Sequence, residues 1–225
     1  MNVLYMRSDK ELNVEHFYEL ASSISNKKRQ RINRYRFRKD AQNSLLGDIL
    51  LHYALQQYFI HDEDVSFGTN KYGKPFLKSH PNIQYNISHT DNYVACAITK
   101  DIPVGVDVET VKPIELDLAE RFFTKNEYKY IANYPLEQQM QCFYRIWTRK
   151  ESYVKMIGKG LAISLNSFNV LKNKDIHYEE FLYTDEVIGT VCTRERANID
   201  CEEVHLEQLL TWFFGNTKNG KVHLN

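Results

Sequence analysis

Residues 83–109 read IQYNISHTDNYVACAITKDIPVGVDVE, three runs of strand-forming residues separated by two short turns. Val, Ile, Tyr and Thr are frequent in the runs, and the turns TDN and KDIP hold the Asp, Asn and Pro typical of chain reversals. The pattern predicts three short strands that follow one another as an antiparallel meander.

Helices are predicted on both sides of this meander. Before it, the spacing of apolar residues predicts a strand and three helical segments, at 3–6, 14–24, 27–37 and 41–59. After it, the pattern predicts two helices, a long helix and three strands, the last four at 136–157, 167–171, 177–182 and 186–192. The apolar and then polar stretch from residue 211 to the end is assigned to no element.

Each half of the chain therefore combines helices with a small antiparallel meander. With 225 residues, 43% of them hydrophobic, the chain has enough apolar material for a sizeable core. We expect an α+β fold of two similar α/β halves, residues 1–103 and 104–225, although no repeat of individual residues is visible.

Charge and cysteine content limit the classes of function. The 29 Lys and Arg residues balance 29 Asp and Glu residues, so anion binding must come from local clusters. The four cysteines form no Cys-x-x-Cys pair, which argues against a zinc site or a disulfide scaffold and fits a reducing compartment. The first residues, MNVLYMRSDKE, lack the apolar region of a signal peptide, and no run of about 18 apolar residues occurs. We expect a cytoplasmic protein with no membrane partner.

The run VGVDVE places two carboxylates on one face of a strand. Alternation puts Val104, Val106 and Val108 on one face, and Asp107 and Glu109 on the other. Neighbouring carboxylates repel unless a cation lies between them, and oxygen ligands without thiolate or imidazole favour Mg²⁺ or Mn²⁺. An amphipathic strand whose polar face meets water is the alternative that such a pair alone leaves open.

A further carboxylate lies in WTRKESYVKMIGKG, residues 147–160. On a helix Trp147, Glu151 and Lys155 share one stripe, with Lys150 beside it. Glu151 would complete a Mg²⁺ site with the strand, and the two lysines would meet phosphate oxygens, as phosphoryl transfer requires. Taken alone, the helix is also explained by a buried Trp, an ordinary Glu–Lys ion pair and a glycine cap.

The segment NKKRQRINRYRFRK, residues 26–39, holds eight Lys and Arg and no acid. On a helix Lys28 and Arg31 lie three positions apart, close enough to clasp one phosphate. A solvated basic helix explains the cluster equally well. A nucleic-acid-binding module also explains it, but leaves the carboxylates without a role.

Three shorter motifs add candidates. YGKP presents Lys74 beside a turn, and NISHT places Ser88 and His89 at the end of a strand, where hydroxyl and imidazole suit phosphate contact. Glu127 fits a helix capping box with Thr124, while remaining a group that could approach the site. No Gly-x-Ser-x-Gly, Walker A or Gly-x-Gly-x-x-Gly motif occurs.

Together these motifs resemble one family. VGVDVE followed by FYRIWTRKESYVKMIGKGL resembles the two signature segments of 4′-phosphopantetheinyl transferases. YGKP, NISHT, DAQNSLLGDIL and ERFFTKNEY are similar to further segments of the larger Sfp type, which activates nonribosomal peptide synthetases. The resemblance extends from about residue 24 to residue 161 and weakens after residue 171.

The resemblance implies an intramolecular pseudo-dimer that works as a monomer, with coenzyme A in the cleft between its halves. It implies that Mg²⁺, or Mn²⁺ in its place, is held by Asp107, Glu109 and Glu151. The residues implied to contact coenzyme A are Lys28, Arg31, Ser44, Lys74, Ser88, His89, Lys150 and Lys155. Catalytic roles are implied for Glu151, Lys155 and Glu127.

The implied reaction is attack by a serine hydroxyl of an apo peptidyl or acyl carrier protein on the β-phosphorus of coenzyme A, with release of 3′,5′-ADP. Lys155 would stabilise charge on the pyrophosphate, and Glu151, a metal-bound water or Glu127 would take the serine proton. The carrier is expected to dock near the mouth of the cleft, on residues 114–123 and the start of the strands of the second half. An inactive homologue that only binds carrier proteins is the remaining alternative, and the intact acids argue against it.

Overall fold

The computed structural model describes residues 1–58, 60 and 64–217. The helices of this part are α1 (Val14–Ser23), α2 (Asn26–Ile32), α3 (Arg38–Gln56), α4 (Asp117–Phe122), α5 (Lys125–Ala132), α6 (Leu136–Ile157) and α7 (Leu206–Thr217). The strands are β1 (Asn2–Arg7), β2 (Phe67–Thr69), β3 (Pro75–Leu77), β4 (Ile83–His89), β5 (Tyr93–Lys100), β6 (Val104–Thr110), β7 (His177–Tyr183), β8 (Val187–Thr193) and β9 (Asp200–Glu203).

The strands form two sheets and a small hairpin. The four-stranded sheet has the order β4-β5-β1-β9, the three-stranded sheet has the order β6-β8-β7, and β2 pairs with β3. All pairs are antiparallel except β1 with β9, which are parallel. The mixed helix and sheet composition predicted from the sequence is therefore confirmed.

The three strands predicted within residues 83–109 are all present, but they do not share one sheet. β4 and β5 pair with each other, whereas β6 pairs with β8 and begins the second sheet. The turn between β5 and β6 contains Asp101 at φ 64° and then Pro103, which has no backbone N–H to donate. The chain therefore changes sheet at this turn, between residues 103 and 104.

The last part of the described chain returns to the first sheet. β9 adds to the free edge of β1, and α7 packs on α3, where the indole N–H of Trp212 donates to Gln56 Oε1 at 2.7 Å. Leu209 and Phe213 of α7 are buried in the same core as the apolar residues of α3. A division into 1–103 and 104–225 therefore does not hold for residues 200–217, which complete the first half.

Several predicted boundaries also differ. The predicted strand at 167–171 is absent, since the N–H of Val170 donates to Glu127 Oε1 and that of Leu171 to Asn169 Oδ1. The basic helix ends at Ile32 rather than residue 37. The helix expected at 41–59 begins at Arg38 and ends at Gln56, and the predicted last residue, Phe59, lies outside the described residues, as do residues 218–225.

The three valines of β6 lie in a core between the two sheets, together with Val3, Ala95, Ala97, Val187 and Val191. Larger cores lie under α3 in the first half and beside α6 in the second. None of the helices in the described part of the chain combines the length and apolar character needed to cross a bilayer.

Candidate active site

The site is built on the contact between β6 and α6. The β6 valines face the core, and Asp107 and Glu109 face α6, as the alternation predicted. Gly105 allows the close approach of the two elements, because a Cβ atom at this position would lie 2.0 Å from the carbonyl oxygen of Ser152 and 2.4 Å from the backbone nitrogen of Met156. The residue without a side chain therefore sets how near the helix comes to the acidic strand.

One stripe of α6 faces the two acids. Lys155 Nζ lies 2.6 Å from Asp107 Oδ1, and the indole N–H of Trp147 donates to Glu109 Oε1 at 3.3 Å. The helix ends at Gly158, whose φ of 69° is left-handed, so the glycine cap anticipated from the sequence is confirmed. The partner of Lys155 is Asp107 of the strand, not Glu151 on its own helix.

The acids form a mutually repelling group, in which Asp107 is buried and Glu109 and Glu151 are half-buried. Burial raises the pKa of Asp107. Burial and then the charge of Asp107 raise the pKa of Glu109 to about 7, and the same two causes raise the pKa of Glu151. Carboxylates that share a site in this way are stabilised by a cation placed among them.

The donor chemistry fits Mg²⁺. The side-chain ligands on offer are all carboxylate oxygens, and Asp107 Oδ2 is buried without a hydrogen-bond partner. In the part of the chain that the structure describes, no three His, Cys, Asp or Glu side chains converge closely enough to hold a metal by themselves. Mg²⁺ usually takes one or two carboxylates and fills its remaining positions with water and substrate phosphate, so these residues suit an ion bound together with a substrate.

A basic pocket of about 820 Å³ lies in the first half. Lys28 Nζ lies 2.9 Å from Asp48 Oδ1, and the guanidinium of Arg31 donates to Ser44 Oγ at 3.1 Å and lies 3.8 Å from Asp48 Oδ2. The structure thus brings together Lys28, Arg31 and Ser44, three of the predicted coenzyme A contacts. Lys27, Arg34 and Lys78 add to the positive lining.

Asp48 is a charged partner of Lys28 and Arg31 that the sequence interpretation missed. The Asp48 side chain is buried on α3 and forms ion pairs with Lys28 and Arg31. The sequence contains a pattern that could have indicated Asp48. It lies four positions after Ser44 on the predicted helix, and the residues around it on that helix are mostly apolar. A buried carboxylate in such a helix requires a cationic partner, and the only dense cationic segment precedes it.

A second, mainly apolar pocket of about 610 Å³ adjoins the carboxylates. Residues of both halves line it, among them Tyr72 and Asn86 from the first, and Phe122, Trp147, Glu151, Lys155 and Leu161 from the second. Pro75 lines both this pocket and the basic pocket, so the two are neighbours. The carboxylates therefore lie beside a cleft between the halves, with positive charge at one side and apolar surface at the other.

Lys74 does not point into the basic pocket. Its Nζ donates to the carbonyl oxygens of Val104 at 3.1 Å and Met156 at 3.0 Å, and burial lowers the pKa of Lys74 to about 8. The side chain thus fastens the β2–β3 hairpin to β6 and to the end of α6. Lys74 also lines the pocket that contains Glu151 and Lys155, so its contact with a phosphate stays a prediction.

His89 is the half-buried last residue of β4, directly after Ser88. Burial, then the charge of Lys155 and, more weakly, that of Arg31 lower the pKa of His89. The imidazole is therefore biased toward its neutral form, and an anion bound beside it would raise its pKa.

Lys150 and Glu127 are not in the site, which corrects two expectations. Both side chains are fully buried, and Lys150 Nζ lies 2.8 Å from Glu127 Oε2 while donating to the carbonyl oxygens of Leu165 and Phe168. Glu127 also completes the capping box with Thr124, so the capping alternative is confirmed. With every oxygen of Glu127 bonded internally, the pair stabilises the second half and is not placed to meet phosphate or to take a proton from a substrate.

Two further cations of α6 are also explained by packing. Arg145 and Arg149 both bind Glu180 Oε1 of β7, at 2.7 and 2.8 Å. Among these cations of α6, Lys155 is thus the one that pairs with a carboxylate of β6, that of Asp107.

The sequence matches two family profiles. Residues 103–214 match the 4′-phosphopantetheinyl transferase superfamily, and residues 12–101 match the N-terminal part of 4′-phosphopantetheinyl transferases. The chain is 39% identical over 176 residues to the 4′-phosphopantetheinyl transferase ffp of Bacillus subtilis, which covers 78% of each chain. It is 41% identical over 175 residues to the 4′-phosphopantetheinyl transferase gsp of Aneurinibacillus migulanus, 77% of this chain and 73% of the relative. The mouse L-aminoadipate-semialdehyde dehydrogenase-phosphopantetheinyl transferase is 29% identical over 64% of this chain and 51% of its own.

Proposed function

The chain belongs to the 4′-phosphopantetheinyl transferase superfamily, and we propose that it transfers the 4′-phosphopantetheine moiety of coenzyme A to a serine hydroxyl of an apo peptidyl or acyl carrier protein. The observation that carries the proposal is the β6–α6 contact, where Asp107 pairs with Lys155, Glu109 accepts from Trp147 and Glu151 lines the adjoining pocket, next to a basic pocket. Metal-binding acids beside separate phosphate-binding cations suit the transfer of a phosphoryl group.

Coenzyme A is assigned to the cleft between the halves, which we propose form an intramolecular pseudo-dimer. Lys28 and Arg31, supported by Asp48 and Ser44, would hold the 3′-phosphate in the basic pocket. Lys155 lines the pocket beside the carboxylates and donates to Ser88, the residue before His89 on β4, so the pyrophosphate is assigned to Lys155 and His89. The pantetheine arm would then extend along the apolar pocket.

Asp107, Glu109 and Glu151 would hold Mg²⁺, with Mn²⁺ as a substitute. When bound, the ion supplies positive charge to the pyrophosphate oxygens. Among the chain's own groups, Lys155 would neutralise the charge that develops on the departing 3′,5′-ADP. Burial and the charge of Asp107 raise the pKa of Glu151, which makes its carboxylate a stronger base than an exposed one. Glu151 would take the proton of the carrier serine as the serine oxygen bonds to the β-phosphorus. The bond between that phosphorus and the bridging oxygen breaks, and 3′,5′-ADP leaves with the oxygen.

The carrier protein is proposed to dock near residues 114–123, at the apolar end of the cleft. Phe122 in this segment lines the apolar pocket and contacts Trp147 edge to face, with ring centroids 5.7 Å apart. A serine presented there would reach the carboxylates from the side opposite the basic pocket. We propose that the enzyme works as a monomer in the cytoplasm and takes no nucleic acid or membrane as a partner.

The test is incubation with an apo carrier protein, coenzyme A and Mg²⁺, followed by intact-mass measurement of the carrier. A gain of about 340 Da, the size of a phosphopantetheine ester on the nucleophile, is expected. The gain should disappear when coenzyme A or Mg²⁺ is omitted, or when the acceptor serine of the carrier is replaced by alanine. A carrier mass that never changes, across peptidyl and acyl carriers, would refute the proposal.

A further inference from the structure

The outer edge of β6 has an unusual set of hydrogen-bond partners. In the described residues, β6 pairs through its backbone with β8 only, on one edge. On the other edge it lies beside β4, yet the two strands share no backbone ladder. The N–H groups of Val106, Val108 and Thr110 alternate along that edge and require acceptors, because buried donors without a partner are costly.

Side chains of β4 and of the residue after it supply these acceptors. The N–H of Val106 donates to Asn86 Oδ1 at 2.8 Å and that of Val108 to Ser88 Oγ at 3.3 Å. The N–H of Thr110 donates to Thr90 Oγ1 at 3.1 Å. We call this set of three bonds, from Asn86, Ser88 and Thr90, the side-chain ladder.

The ladder has the regularity of a strand pair. Its members are alternate residues of NISHT, and each accepts from the residue twenty positions later, so the two strands run in the same direction in one fixed register. A slip by one residue would offer Ile87 or His89 in place of these acceptors and leave the N–H groups unsatisfied. The ladder therefore joins the two sheets at a single relative position.

The middle member connects the ladder to the carboxylates. Besides accepting from Val108, Ser88 Oγ donates to Asp107 Oδ1 at 3.0 Å and accepts from Lys155 Nζ at 2.8 Å. A hydroxyl has one proton and two lone pairs, so all of its hydrogen-bonding capacity is used by protein groups. In this arrangement Ser88 holds Asp107 and Lys155 together, which differs from the phosphate contact expected from the sequence.

We propose that Asn86 and Thr90 are positioning residues: with Ser88 they lock β6 to β4 and thereby set where Asp107 lies relative to Lys155 and the basic pocket. The lock itself is independent of what the enzyme does. Its consequence for the reaction rests on the proposed function, because a carboxylate displaced from Lys155 would no longer meet the pyrophosphate correctly. Thr90 reaches β6 through its own hydroxyl, which also donates to Thr110 Oγ1 at 3.2 Å.

The test is amide hydrogen exchange of the full chain, measured residue by residue by NMR, for Thr90→Val and Thr90→Ser. Valine keeps the shape of threonine and removes the acceptor, whereas serine keeps the hydroxyl. We expect exchange at the Thr110 amide to accelerate by about tenfold or more in Thr90→Val and to stay at the wild-type rate in Thr90→Ser, with Val106 unchanged in both. Equal exchange at Thr110 in all three proteins would overturn the proposal.

A second pair of variants, at Asn86, provides the same test if Thr90→Val does not fold. Asn86→Leu removes the acceptor for Val106, and Asn86→Asp retains it, so the Val106 amide should exchange faster only in the leucine variant. For the reaction, Thr90→Val should need more Mg²⁺ for half-maximal transfer than Thr90→Ser. A wild-type protein that transfers nothing would count against the proposed function, while the exchange rates would still support or overturn the lock.

Discussion

Gly105→Ala is the substitution that most directly tests the close contact of β6 with α6. The added Cβ atom would lie 2.0 Å from Ser152 O, where ordinary contact begins at 3.4 Å, so α6 must retreat by about 1.4 Å or β6 must bend. Because α6 carries Lys155, a retreat of that size would lengthen its 2.6 Å bond to Asp107 to about 4 Å, beyond hydrogen-bond range. Forced overpacking of this kind typically costs about 1–3 kcal/mol of unfolding free energy.

The effect on the reaction should exceed the effect on stability. A misplacement of about 1 Å among reacting groups lowers rates by roughly a hundredfold, so kcat/KM for phosphopantetheine transfer should fall by about that factor. The assay is transfer to an apo carrier protein followed by intact mass, with urea denaturation of the same preparations.

Gly215→Ala on α7 is the matched control, since among the described residues a Cβ atom there meets no atom within 4 Å outside the backbone of its own helix. This variant should keep wild-type kinetics and be equally or slightly more stable, because alanine favours a helix. A folded Gly105→Ala protein with wild-type kcat/KM would refute the reasoning, as would an equal loss in Gly215→Ala.

Other groups give independent predictions. Arg31→Gln should weaken binding of adenosine 3′,5′-bisphosphate about tenfold in calorimetry, whereas Arg36→Gln, outside the basic pocket, should leave it unchanged; equal affinities would exclude Arg31 from the phosphate site. Burial and neighbouring cations lower the pKa of His89 from 6.5, so the unfolded chain binds the proton more readily and stability should fall as the pH drops below about 6.5. In NMR titrations the bisphosphate should raise that pKa, and an unchanged curve would contradict contact with the ligand. Lys150→Met should lower the unfolding free energy by about 3–5 kcal/mol in urea, and adding Glu127→Gln should recover part of the loss; a double variant less stable than the single would argue against the buried pair.

The local geometry of the site could be predicted from the sequence. Alternation in VGVDVE fixed which residues of β6 face α6, and i, i+4 spacing fixed the stripe of Trp147, Glu151 and Lys155. These relations hold within one element, so they need no knowledge of the fold. Lys28 and Arg31 were brought together for the same reason, being one turn apart on α2.

The parts that could not be predicted depend on which elements meet. Lys150 and Lys155 look alike in sequence, yet Lys150 is buried against Glu127 of another helix while Lys155 meets Asp107. From the sequence, Ser88 was expected to contact a phosphate. Its three hydrogen-bond partners instead come from β6 and α6, and the spacing of residues within NISHT does not reveal them.

The strand β9 likewise could not be predicted from its own sequence. Its sequence, DCEE, has three acids and no strand signal, and it forms because the edge of β1 is open to it. Pairing with a distant edge overrides the local preference of so short a segment.

The central claim is that the carboxylates at the β6–α6 contact carry a Mg²⁺-dependent transfer. The most direct measurement is the intact mass of an apo carrier after incubation with coenzyme A over a series of Mg²⁺ concentrations. It compares the wild type, Glu151→Gln and, as a control on the exposed face of α1, Glu19→Gln. The account predicts a gain of about 340 Da with the wild type and the control, and none with a folded Glu151→Gln protein at the same enzyme and metal concentrations. Transfer by Glu151→Gln at the wild-type rate and with the wild-type Mg²⁺ dependence would contradict it.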